Sequence, residues 1–203
     1  MKKLMLLLIV LSIVSCAGIP LSSMYKMMTA NPLEFSPDAI SVAIKRTNDI
    51  QVQTGDVEMT ISINSDNPEV KVLQQYFLVI DNIQRVPTIS ERLKSNEEWS
   101  ILTLSSEDVI RMKNLQERMD DYLISGGKSG DFGFSIRVLD GCKNTNDMPD
   151  NVFVSLFLKL DSRSDYFPLY KDFNIGQADL SPLEDLENWP DCNKLAAHNT
   201  KIN

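Results

Sequence analysis

The chain has 203 residues, with 20 Lys and Arg against 28 Asp and Glu, and a formal net charge of −8. That length suits one domain with a proper core, and the acidic balance repels phosphate backbones, which excludes a nucleic-acid-binding protein. A single histidine, His198, and three cysteines with no CxxC pair give no footing for zinc chemistry.

The first residues divide into a basic start, Lys2 and Lys3, and an apolar run from Leu4 to Val14 broken only by Ser12. This is the layout of a signal peptide. A helix of that length rises about 16 Å, well short of the ~30 Å hydrocarbon core, so a permanent span is not expected. Ile13-Val14-Ser15-Cys16 closes the run with an aliphatic residue three places before a cysteine and a small residue just before it. The segment 1–16 resembles the signal peptide and lipobox of bacterial lipoproteins; the resemblance does not extend into the rest of the chain. It implies removal of residues 1–15, a diacylglyceryl group on the Cys16 thiol and an acylated new amino terminus. Each buried CH₂ contributes ~0.8 kcal/mol and one chain alone is marginal, so two or three chains make a stable anchor. Ala17 follows the cysteine where aspartate is the usual retention signal, so the resemblance further implies outer-membrane delivery in a Gram-negative envelope.

With Cys16 committed to lipid, Cys142 and Cys192 remain as an even pair in an oxidising compartment, and a disulfide between them is expected. Loss of Lys2 and Lys3 leaves 18 basic residues against 28 acids, a net charge of −10. Such a surface repels anionic headgroups, so retention at the membrane rests on the lipid.

Residues 16–37 connect lipid to domain. Leu21, Met24, Tyr25 and Met28 recur at helical spacing and predict a short amphipathic helix. It can lie on the membrane or pack against the domain; packing is the commoner outcome and the expectation. Pro32 and Pro37 end the segment. From Asp38 the period becomes two. Strands are predicted at Ile40–Ile44, at Val57–Ile63 after the turn Thr54-Gly55-Asp56, at Val70–Ile80 as a central strand, and at Trp99–Leu104. A helical turn is expected near Ser90–Lys94. Ser105-Ser106-Glu107-Asp108 then supplies a cap and early acids for a helix of about 105–124. Its stripe is Val109, Met112, Leu115, Met119, Tyr122 and Leu123, and Gly126-Gly127 is its stop. Phe132–Val138 and Val152–Leu160 are further strands, joined by a polar hairpin loop from Asp140 to Asn151. Phe167–Ile175 is an edge strand, because Pro168 cannot donate to a ladder. The expectation is a single domain, 38–192, followed by a polar tail, 193–203. Its fold class is mainly β (α+β): an antiparallel β-sandwich or curled sheet of about seven strands with one covering helix.

Site motifs are sparse. His198 stands in the tail, where a catalytic triad cannot be built. Gly127-Lys128-Ser129 has the end of a P-loop without its first glycine and follows a helix rather than a strand. Ser23-Met24-Tyr25-Lys26, Ser65-Asp66-Asn67 and Lys128-Ser129-Gly130 resemble the three short motifs of penicillin-binding proteins and β-lactamases. In this chain the serine lies seven residues from the anchor and the family's helical half is missing. Asp140, Asn144, Asn146, Asp147, Asp150 and Asn151 offer hard oxygens for a weak calcium site but lack the DxDxDG spacing. Asp179, Glu184, Asp185, Glu187 and Asp191 read as a solvated acidic face. No cofactor is indicated. The expected function is a lipid-anchored envelope module that binds or scaffolds another envelope protein without catalysis. A carrier of lipid or another apolar ligand, and a carboxylate-based hydrolase, are the alternatives.

Overall fold

The computed structural model describes residues 20–64, 71–81, 87–128, 130–145, 149, 151–175 and 188–199. Alternating apolar residues form the strands Ser41–Thr47 (β1), Ile50–Gln51 (β2), Val57–Asn64 (β3), Val72–Phe77 (β4), Val79–Ile80 (β5), Glu97–Thr103 (β6), Asp131–Val138 (β7), Cys142–Lys143 (β8), Phe153–Lys159 (β9) and Phe167–Asn174 (β10). Helices run over Leu21–Thr29 (α1), Ser106–Ile124 (α2) and Cys192–Asn199 (α3). The strands make a five-stranded sheet ordered β10-β9-β1-β6-β5, a three-stranded sheet ordered β4-β3-β7, and the ribbon β2-β8, all antiparallel. The fold is mainly β with flanking helices, and none of these sheets closes into a barrel.

One apolar cluster joins the two larger sheets. Val42, Ile44, Leu102, Leu156 and Leu158 enter it from the five-stranded sheet, and Val57, Met59, Ile61, Ile63 and Tyr76 from the three-stranded one. Met112, Leu115 and Met119 of α2 complete it. This is the interdigitated core of a sandwich, with alternate residues of each strand directed inward. The expected cap of α2 is present: the Ser105 hydroxyl accepts from the Asp108 N–H at 3.0 Å. Its C-terminal stop works through Gly126, whose φ of +90° is strained for any residue with a Cβ.

Several expectations are corrected. The run Val70–Ile80 is not a central strand. It divides at Leu78, so that β4 edges the three-stranded sheet while β5 edges the five-stranded one. Leu78 is buried at the crossing, donating to the Val57 carbonyl at 2.8 Å and accepting from the Gly55 N–H at 2.9 Å. Val72, Tyr76, Leu78 and Ile80 all face the main core, whereas Leu73 and Phe77 on the other side of the run are exposed, so apolar residues on both of its sides do not mark a strand buried on both faces. The Asp140–Asn151 connection is likewise no hairpin loop, because β7 and β9 belong to different sheets. The region Ser90–Lys94 forms no helical turn; the extended chain from Pro87 lies over the outer face of the five-stranded sheet. There Ile89 packs with Ala43, Ile101 and Phe157. β1 is therefore buried on both faces. The segment read as a polar tail, 193–203, opens within α3, which begins at Cys192.

Candidate functional site

The expected disulfide is present: Cys142 and Cys192 are bonded with a Cα–Cα distance of 5.0 Å, closing a separation of 50 residues. Local packing brings the two together. Trp189 fills the end of the sandwich with Ile50, Val152 and Ile175, and its ring lies so close to Gly141 that a Cβ there would stand 2.4 Å from it. The Lys143 N–H donates to the Pro190 carbonyl at 2.9 Å. The C-terminal segment is thus tied back by a ring, a backbone hydrogen bond and a covalent bond.

Cys16 lies outside the described residues, as do Asn146, Asp147 and Asp150 of the calcium candidate, the Ser65-Asp66-Asn67 motif, and Ser129. The members of the calcium candidate that are described have other work. Asp140 Oδ1 accepts from the Gly141 N–H at 2.7 Å, Asn144 Nδ2 donates to the Asn48 carbonyl at 2.7 Å, and Asn151 Oδ1 accepts from Asn174 Nδ2 at 2.8 Å. Of the acidic face, Asp179, Glu184, Asp185 and Glu187 lie outside the described residues, and Asp191 accepts from the Asn193 N–H at 2.9 Å, at the start of α3. Asp56 neighbours Asp140. Burial, reinforced by the Asp140 charge, raises its carboxyl above the usual range against a bond from the Gln53 N–H. Both carboxylates cap their own turns.

Two polar constellations mark the sheet faces. On the five-stranded sheet the buried Lys45 ammonium lies 3.1 Å from Glu91 and 3.2 Å from Asp172, and Lys171 reaches Glu91 at 2.6 Å. Burial opposes the Lys45 charge, but Glu91 and Asp172 outweigh it and raise the ammonium above its ordinary value. Burial likewise disfavours charged Glu91, and Lys171 with Lys45 overcomes this and lowers its carboxyl. Asp172 holds a φ of +45° here, with its N–H donating to Ser155 Oγ at 2.9 Å. This closed set of ion pairs pins the Pro87–Glu91 strap to the sheet. On the three-stranded sheet Glu58 receives Arg137 at 2.5 Å, Gln75 at 2.9 Å and Thr60 at 3.1 Å. Beside that network Leu73 and Phe77 of the edge strand β4 stand exposed. The edge itself is partly blocked, because Arg111 of α2 donates to the Gln75 carbonyl at 2.8 Å.

The most unusual surface surrounds α1. The helix forms where the apolar spacing predicts, and Pro32 follows its end at Ala30. It does pack against the domain, but not through the predicted stripe. Ser23 is buried and Met27 packs on the main core, while Leu21, Met24, Tyr25 and Met28 are exposed. Lys26 lies over the Phe167 ring, 5.0 Å from its centroid. Ser23 and Lys26, the pair in the SxxK resemblance, are therefore engaged in packing and a cation–ring contact. Beside the helix Met24 and Met28 border a half-open apolar groove of about 280 Å³, floored by Phe134, Ile136, Leu169 and Tyr170. By contrast, the space between the sheets bounded by Ile44, Val138, Leu156 and Trp189 is about 30 Å³, room for a water rather than a lipid.

Sequence reasoning missed the direction of the α1 stripe, the exposed Leu73 and Phe77, and the Lys45 network. The glutamine pair Gln74-Gln75, which interrupts the apolar run, is the signal that could have demoted β4 to an edge.

Comparison of the chain with protein-family models, with curated proteins and with solved structures found no match in any of the three.

Proposed function

We propose that the chain is an exported lipoprotein, anchored through lipid on Cys16, that serves as a non-catalytic module binding another protein of the cell envelope. The observation that carries this reading is the Cys142–Cys192 disulfide. Of three cysteines in the chain, two are joined, and the remaining one closes the lipobox-like Ile13-Val14-Ser15-Cys16. A structural disulfide belongs to an oxidising compartment, which supports export. Ala17 after the cysteine supports an outer-membrane address if the envelope has two membranes. A protein partner is favoured by Leu73 and Phe77, large apolar side chains exposed together on an edge strand, the kind of surface that other chains dock on.

The test is in-cell photocrosslinking from Leu73 or Phe77, followed by purification of the membrane-bound protein and mass spectrometry of the adducts. One envelope protein recovered reproducibly from both positions is the expected outcome. Recovery of the chain alone would overturn the binding-module reading. Separately, Cys16→Ser should release the protein from the membrane fraction; retention of that variant would contradict the anchor.

A further inference from the structure

We infer that α1 is an interfacial helix: the stripe Leu21, Met24, Tyr25 and Met28 lies in the lipid surface and fixes which side of the domain faces the bilayer. The inference rests on the lipid-anchor reading of Cys16 and adds an orientation that the anchor alone does not supply.

Four observations converge on it. First, α1 is inside out for a helix in water. Leu21, Met24, Tyr25 and Met28 are 76, 43, 70 and 83 % exposed, whereas Ser23 is 1 % exposed. The Ser23 hydroxyl finds no hydrogen-bond partner among the described residues. Isolated apolar residues on a surface are ordinary, but an unbroken stripe at i, i+3, i+4 and i+7 marks a face that something covers.

Second, chain length decides what is near enough to cover it. Leu21 is five residues from Cys16, a contour of at most about 18 Å. A helix tethered that closely to membrane-embedded acyl chains starts within about 18 Å of its lipid attachment. The lipid surface is therefore the occupant always within reach, at an effective concentration no diffusing partner matches.

Third, charge agrees. Residues 17–33 contain one charged side chain, Lys26, in a chain that otherwise carries a strong acidic excess. The rest of the domain is repelled from anionic headgroups, while this segment carries a single cation and no acid. Tyr25 has the amphipathic ring that favours the membrane–water boundary.

Fourth, the apolar surface continues past the helix. The groove beside Met24 and Met28 opens alongside the same stripe and is floored by side chains of β7 and β10. Apolar contact with the acyl boundary can thus extend from the helix onto the sandwich.

The experiment uses the full-length, membrane-extracted protein reconstituted into zwitterionic phosphatidylcholine vesicles with and without brominated acyl chains. Tryptophan is introduced in turn as Met28→Trp and Tyr25→Trp, and the wild-type signal of Trp99 and Trp189 is subtracted. Both sites are exposed, so neither variant is expected to disturb folding. The added emission should shift to shorter wavelength on reconstitution and be lost to brominated chains. Because the contact is apolar, raising the salt should not restore it. Solvent-like, unquenched emission from both variants, in protein that floats with the vesicles, would overturn the interfacial helix while leaving the anchor intact. Failure to float, with Cys16 unmodified, would remove the anchor and the inference with it.

Discussion

The helices α1 and α2 carry the same kind of apolar stripe and use it in opposite ways. In α2 the stripe is the core: Met112 is 0 % exposed and Leu115 and Met119 2 % each. In α1 the equivalent positions point outward, with Met28 at 83 %. α2 is held by a serine cap, by Gln116 donating to the Pro32 and Phe35 carbonyls, and by Arg111 over the Tyr76 ring. α1 begins at Pro20 with no side-chain cap bond and seats itself through Ser23 and Met27. Helical periodicity therefore reports that an apolar face exists; what covers the face is decided by the neighbouring elements and by the surroundings.

Substitutions that read the two helices against each other should separate widely. The largest effect is expected from Met112→Glu, which puts an unpaired charge into the shared core and should cost about 4–5 kcal/mol in a denaturant titration. Met28→Glu on α1 should change the same titration by less than about 0.5 kcal/mol. If the two cost the same, the contrast is wrong. Next comes α3, whose attachment is covalent. Cys142→Ser with Cys192→Ser should lower stability by about 4 kcal/mol, from the loop-closure entropy restored to the unfolded chain. An unchanged midpoint would mean that Trp189 and the Lys143–Pro190 bond suffice.

Tyr76 makes the seating of α2 sensitive to alkali. Burial pushes its phenol from 10.0 up to about 12, with Asp108 acting in the same direction and Arg111 and Arg118 opposing. The folded state keeps this proton to higher pH than the unfolded chain does. The contribution of Tyr76 is thus complete below pH 10 and falls as pH rises from there through about 12. The stability advantage of wild type over Tyr76→Phe should shrink across that window by about 2–3 kcal/mol at most. A gap that stays constant would contradict the buried phenol, whose hydroxyl donates to Gln74. The smallest separable effect is the cap: Ser105→Ala should cost about 1 kcal/mol by removing the acceptor for the Asp108 N–H.

Where a residue's alternation matched one sheet and one core, the strand was legible. Val57–Ile63, Phe132–Val138 and Val152–Leu160 match β3, β7 and β9 to within a residue at each end because each stays in one sheet along its whole length. α2 was legible from cap to glycine stop. The disulfide followed from counting cysteines once Cys16 was set aside. Val70–Ile80 was not legible as two edges, because the exposed Leu73 and Phe77 give the run the two apolar faces of a central strand. Lys45 could not be read as buried, since its partners Glu91 and Asp172 stand far along the chain and no local pattern links them. The α1 stripe was legible as a face but not as an outward one, because the competing seat is supplied by β10 and the main core.

Lipid on Cys16 underlies both the anchor and the orientation of α1. Its most direct test is mass spectrometry of the amino-terminal peptide of the protein extracted from membranes. A mature chain beginning at Cys16 and carrying diacylglyceryl and N-acyl mass is the predicted result. An unmodified Cys16, in a chain that keeps residues 1–15 or is cut elsewhere, would contradict the lipid anchor and everything argued from its distance to α1.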